Sequence, residues 1–191
     1  ADSGRSAGAK GRCTSSLCSI EKDPCRGVKS SERMISHPIP PVWDANSRIL
    51  ILGSFPSVKS RENGFFYGHP QNRFWRVLAN IYRQPLPYSI AEKKTFLLHN
   101  RVALWDVIAS CSITGSSDSS IRDVVPTDLV EILSNAKIQH IYTNGRKADA
   151  LYRRYQYREI GHSAICLPST SPANASWSLE RLTDAWSRIL E

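Results

Sequence analysis

Four short apolar runs, RILIL (48 to 52), VALWDV (102 to 107), QHIYT (139 to 143) and SAICLP (163 to 168), are separated by stretches whose apolar residues recur at helical spacing. Continuous apolar runs of this length suit strands covered on both faces, and such strands are parallel neighbours joined by crossover helices. NRFWRVLANIY places Phe74, Val77, Leu78 and Ile81 on one face, and SIAEKKTFLL opens with Ser89 and Glu92 at capping-box spacing. TDLVEILSN follows Pro126, RKADALYRRY follows Gly145, and SLERLTDAWSRIL closes the chain. The expected fold class is α/β, a parallel sheet with helices on both faces.

The 191 residues, 41% of them hydrophobic, suit one globular domain. Residues 1 to 33 are rich in Ser, Gly, Lys and Arg without hydrophobic period, and are expected to be a disordered extension ahead of a domain at 34 to 191. Met34, the single methionine, stands where ordered sequence is expected to begin, and one reading makes it a natural start. No apolar run reaches bilayer length and no secretion-type segment opens the chain, which points to an intracellular protein, cytoplasmic or nuclear, without a membrane partner. The five cysteines, Cys13, Cys18, Cys25, Cys111 and Cys166, match neither a disulfide framework nor a compact zinc pattern, and are read as free thiols.

The net charge is +8; residues 1 to 33 hold seven Lys/Arg against four Asp/Glu, so +3 belongs there and +5 to the remainder. A basic domain favours a polyanionic partner, with nucleic acid first.

In a parallel sheet the exit loops of all strands open on one edge. Here the exits are GSFPS (53 to 57), SCSITGSSDSS (110 to 120), TNGR (143 to 146) and STSPANAS (169 to 176), all of small, hydroxylic or amide residues with Gly and Pro. Such loops allow close backbone approach and hydrogen bonding to an anion or polar ligand. FYGHPQN (66 to 72) is expected to join the same edge. Pro70 fits the first position of a helix, which would make His69 the cap and Asn72 the third helical residue. The other reading of the stretch is a pocket, in which Asn72 offers a donor and an acceptor but no titration, and so acts by positioning and electrostatics. Two readings stand at the remaining positions as well: Gly53 as a turn residue or a site residue, Ser169, Thr170 and Ser171 ahead of Pro172 as a Ser/Pro turn or a phosphate clamp, and Arg146 and Lys147 as a solvated helix start or a phosphate site.

Together GSFPS, FYGHPQNRFW, LWDV followed by GSSDSSI, and LPSTSPAN resemble the uracil-DNA glycosylase superfamily, specifically its hypoxanthine-DNA (deoxyinosine) glycosylase branch. The resemblance runs from about Ile49 to the C-terminus, and HPQNRFW is also similar to a segment of mismatch-specific uracil-DNA glycosylases. It implies a three-layer α/β/α fold around a short central parallel sheet. It also implies a monofunctional enzyme without metal or organic cofactor, which flips a deaminated nucleotide out of DNA and hydrolyses its bond to deoxyribose; a monomer is expected. Asn72 matches the catalytic position. Gly53, Ser54, Phe55, Tyr67 and His69 match the base pocket, with Tyr67 stacking on the base; His69 has a helix cap as its other reading. Pro56, Ser57, Arg146, Lys147, Ser169, Thr170, Ser171, Pro172, Ala173 and Asn174 are expected at the DNA. Ser54 stands where other branches carry a water-activating Asp, Asn or Glu, Ser169 where many have His, and Ala173 where some have a bulky wedge. Asp118, Ser119 and Ser120 match a family loop, with Asp118 organising that loop or touching substrate. The competing readings are a uracil or broad deaminated-base glycosylase, and a non-catalytic DNA-binding module. A nucleotide phosphohydrolase lacks support, since no phosphate-loop lysine pattern is present.

Overall fold

The computed structural model describes residues 33–113 and 121–191. Expectations for residues 1–32, and for Asp118, Ser119 and Ser120, lie outside them. The element order is β1 (Arg33–Ser36), β2 (Ile49–Gly53), α1 (Val58–Glu62), α2 (Phe74–Tyr82), α3 (Ile90–His99), β3 (Val102–Asp106), β4 (Ile108–Ile113), β5 (Arg122–Pro126), α4 (Val130–Asn135), β6 (His140–Asn144), α5 (Arg146–Tyr155), α6 (Tyr157–Ile160), β7 (Ala164–Leu167) and α7 (Leu179–Trp186), with a closing 3-10 turn at Ser187–Leu190.

The four apolar runs form one sheet in the order β3-β2-β6-β7, every pair parallel. Alternation along β2 assigns its side chains to opposite layers, as the two-residue period of a strand requires. Ile51 packs with Phe74, Leu78, Leu97, Leu182 and Trp186 from α2, α3 and α7. Leu50 and Leu52 face the other way, into a cluster with Ile132, Leu151 and Tyr152 from α4 and α5. Helices therefore cover both faces, and the architecture is three-layer α/β/α. The capping box of α3 is present: Ser89 Oγ accepts from the Glu92 N–H at 3.1 Å and Glu92 Oε2 accepts from the Ser89 N–H at 3.3 Å.

Two expectations are corrected. The segment after β3 is not an exit loop over its whole length, because residues 108–113 form β4, which pairs antiparallel with β1 and β5 in a second, three-stranded sheet. The chain bends at Val107, whose N–H donates to Gly53 O at 2.9 Å, and passes into the second sheet. GSFPS leads at once into the short helix α1, with Ser57 Oγ accepting from the Ser60 N–H. Finally, α2 does not start at Pro70: the Asn72 N–H closes a single turn onto His69 O, but the next N–H, of Arg73, donates to Thr170 O across the molecule, and helical bonding resumes only from Phe74.

The corner between β3 and β4 is tied down by Thr127, which is 4% exposed; its hydroxyl donates to Asp106 O at 2.8 Å, and Gln156 Nε2 donates to Thr127 O at 2.8 Å. Thr127→Val keeps the shape but strips Asp106 O of this donor, so we expect a loss of about 2 kcal/mol in stability, read as a lower midpoint in urea unfolding with unchanged slope.

Candidate active site

Parallel register brings Gly53 opposite Asp106 and Asn144 opposite Leu167, so β2, β3 and β6 present Gly53, Asp106 and Asn144 at the same carboxyl edge. A cavity of about 170 Å³ opens there, walled on one side by Gly53, Ser54, Phe55, Pro56 and Ser57, on another by Tyr67 and Asn72, and closed by Arg146, Lys147, Ser169, Thr170 and Ser171. The four separate sequence segments thus meet. A second groove continues from Arg146, Ser169 and Ser171 to Ala173 and Asn174. Pro172 is half-buried in the loop between them. His69 is not among the cavity walls: its Nδ1 accepts from the Gln71 N–H at 3.2 Å, which leaves it in the turn before Asn72.

Asn72 serves as both cap and wall. Its Oδ1 accepts from the Phe74 N–H at 3.0 Å, which satisfies the start of α2, and from the Thr170 hydroxyl, also at 3.0 Å. Thr170 is in turn fixed by Asn144, which donates from Nδ2 to Thr170 Oγ1 at 2.9 Å and accepts the Thr170 N–H at 2.9 Å on Oδ1. With both lone pairs of its oxygen engaged, Asn72 has only its NH₂ group to offer a ligand, so it works as a donor.

Tyr67 sits in left-handed backbone conformation at φ 53°, with its ring stacked on Phe74 at a centroid distance of 3.9 Å. Its buried hydroxyl has no hydrogen-bond partner. Burial first, and then the Asp106 carboxylate, push this phenol far above its ordinary range; Asn144 lies near enough to oppose that shift but not in hydrogen-bonding geometry. The phenol is therefore a permanent proton carrier in the cavity. Gly53 is obligatory beside it, since a Cβ there would stand 2.0 Å from Asp106 Oδ1.

The loop after β7 hangs on Arg73. Its guanidinium donates from Nη2 to Ser171 O at 2.6 Å and Asn174 O at 3.0 Å, and from Nη1 to Trp177 O. Gly145, at φ 95°, lets the end of β6 approach the same loop; a Cβ there would lie 2.8 Å from Ser169 Cβ.

Sequence reasoning passed over Asp106, Asn144, Arg73 and His37. A carboxylate ending an apolar strand was the available signal for Asp106, because Asp is seldom buried without a task. Arg73 was hidden because its partners are backbone carbonyls about a hundred residues away, which leave no mark in the sequence. Among the described residues, no group of three or more His, Cys, Asp or Glu is placed to hold a metal ion.

Arg73→Lys retains the charge but not the fork that spans three carbonyls. We expect a loss of about 2 kcal/mol and a Tm lower by roughly 4–8 °C, accompanied by faster proteolysis between residues 169 and 177.

The family model of the Uracil DNA glycosylase superfamily matches residues 40–190. A hypoxanthine DNA glycosylase of Methanosarcina acetivorans is 38% identical over 160 residues, covering 82% of this chain and 98% of its own length. One of Methanosarcina barkeri is 33% identical over 158 residues, covering 80% and 96%. The solution NMR structure of a Methanosarcina acetivorans protein, described as a candidate uracil DNA glycosylase, superimposes with a TM-score of 0.69 at 33% identity, over 83% of this chain and all of the other. With the sheet, the cavity at its carboxyl edge and these similarities in agreement, the chain belongs to the uracil-DNA glycosylase superfamily.

Proposed function

We propose that this protein is a DNA repair glycosylase that draws a deaminated nucleotide, hypoxanthine first, out of DNA into the cavity and hydrolyses its bond to deoxyribose, leaving an abasic site. The observation that carries the reading is the fixed carboxamide of Asn72, whose oxygen is held by Phe74 and Thr170 while its NH₂ remains on a cavity wall. The two Methanosarcina relatives named as hypoxanthine DNA glycosylases support the choice of base.

The chemistry follows from charge. Cleavage builds positive charge on the sugar and negative charge on the departing base, and hypoxanthine carries that charge on an amide-like ring. Asn72 Nδ2–H donates to the base as it leaves, an interaction that strengthens in the transition state and is worth about 3 kcal/mol, roughly a hundredfold in rate. Tyr67, braced by Phe74, walls the base pocket with Gly53, Ser54 and Phe55. The exposed Arg146 and Lys147 at the start of α5, with the backbone N–H groups of that helix end, hold a phosphate of the strand. The Ser169–Asn174 loop, with Pro56 and Ser57 opposite, clamps the sugar-phosphate backbone.

A uracil-directed activity is the second reading, favoured by the neighbour described as a candidate uracil DNA glycosylase. Release of free base from duplexes containing deoxyinosine, deoxyuridine or deoxyxanthosine tests both. We expect hypoxanthine to be released fastest; faster uracil release moves the assignment, and release of no base leaves a DNA-binding module. Asn72→Ala is expected to cut single-turnover release at least a hundredfold while duplex affinity stays within about threefold, and full activity of this variant refutes the role of Asn72.

A further inference from the structure

His37 precedes the residues that the superfamily model matches, yet its imidazole is 4% exposed and meets Asp106, a wall of the cavity, from behind. It arrives there because β1 delivers the chain to the second sheet, where the His37 N–H donates to Ala109 O at 2.7 Å. The ring stands edge-on to Phe55 at 5.8 Å and tilted against Phe66 at 6.0 Å. Its tautomer is set locally: Nδ1 accepts from the Ile39 N–H at 3.2 Å, so the proton sits on Nε2, which donates to Asp106 Oδ2 at 2.9 Å.

Asp106 is thereby held at both ends, its backbone carbonyl by Thr127 and one carboxylate oxygen by His37. The other oxygen lies over the α-carbon of Gly53. A methyl group built on that carbon would be 2.0 Å from Asp106 Oδ1 and 3.1 Å from the Tyr67 hydroxyl, so an acceptor and an unpartnered donor stand side by side in the cavity floor. The hydroxyl is buried, which makes it costly to leave unpaired.

That pair is complementary to a lactam edge, a ring N–H adjacent to a carbonyl. Hydrolytic deamination creates such an edge: hypoxanthine presents N1–H and O6, where adenine presents an acceptor at N1. We propose that His37 is a positioning residue that aims Asp106 so that, together with Tyr67, it selects bases with a lactam edge. The inference rests on the glycosylase reading above. A carboxylate beside the base opposes the negative charge that grows there, so its contribution lies in admitting the base rather than in expelling it, and the Asn72 donor acts against that opposition.

The test measures binding, so that leaving-group ability does not enter. Affinities are compared for duplexes carrying uncleavable 2′-fluoroarabino nucleotides of hypoxanthine and of unsubstituted purine, which lacks both O6 and N1–H. The native protein is expected to prefer hypoxanthine by at least about 30-fold, since sites built to pair a polar group reject analogues without it. Asp106→Ser and His37→Ala should reduce the preference to within about threefold while purine affinity holds, and His37→Gln, which keeps a donor, should recover most of it. Tyr67→Phe, which keeps the ring and its packing, should lower the preference about tenfold and serves should the Asp106 and His37 variants fail to fold. Absence of a native preference, or equal weakening for both duplexes in these variants, overturns the proposal. A native protein that releases no base from cleavable deoxyinosine DNA overturns the glycosylase reading itself, an outcome separate from the binding preference.

Discussion

Both lone pairs of one carboxamide oxygen are spoken for, and the geometry of the cavity depends on this. Asn72 Oδ1 takes one bond from the entry of α2 and another from Thr170, which Asn144 holds by two more. Three chain segments distant in sequence are joined at one point, and the Asn72 oxygen, the Thr170 hydroxyl and the Asn144 oxygen each have partners within the network. Such a network resists rotation of the Asn72 amide, because turning it would set NH₂ against two donors. An amide donor is therefore fixed on the cavity wall in advance, the condition under which a donor helps electrostatically without reorganisation.

The same edge carries the fold's unfavourable features. Tyr67 combines a positive φ with a buried hydroxyl that lacks a partner, and together these cost on the order of 2–6 kcal/mol. Two apolar clusters, one on each face of the sheet, offset that cost; they include fully buried Leu50, Leu52, Leu78, Leu104 and Trp186. Strain of this kind persists where a rigid surrounding over-determines it. Here Phe74 supplies the surrounding, since it stacks on Tyr67 and meets Trp75 and Trp186 edge-on.

What could be read from the chain divides along one physical line. Patterns that a segment satisfies by itself were visible: the apolar runs of β2, β3, β6 and β7, the capping box of α3, and the buried face of α2. Structure that exists only through a distant partner was not. β4 contains Ser110, Cys111 and Ser112 and looks like a turn until β1 pairs with it, and β5 begins with an exposed Arg-Asp pair. The start of α2 moved because Thr170 O competes for the Arg73 N–H. For the site, Asn72 and the Ser169–Ser171 loop were located by motif. Asp106 in the cavity floor, and His37 behind it, needed the register between β2 and β3 and the course of β1, neither of which has a local signature.

Arg73 grips the loop after β7 through the oxygens of Ser171, Asn174 and Trp177, all of them main-chain atoms. An anchor of that sort is indifferent to the side chains it passes. The exposed Ala173 can therefore be exchanged for a bulkier or more basic residue without loosening the loop, so the outer face of the loop is free to diversify while its support stays constant.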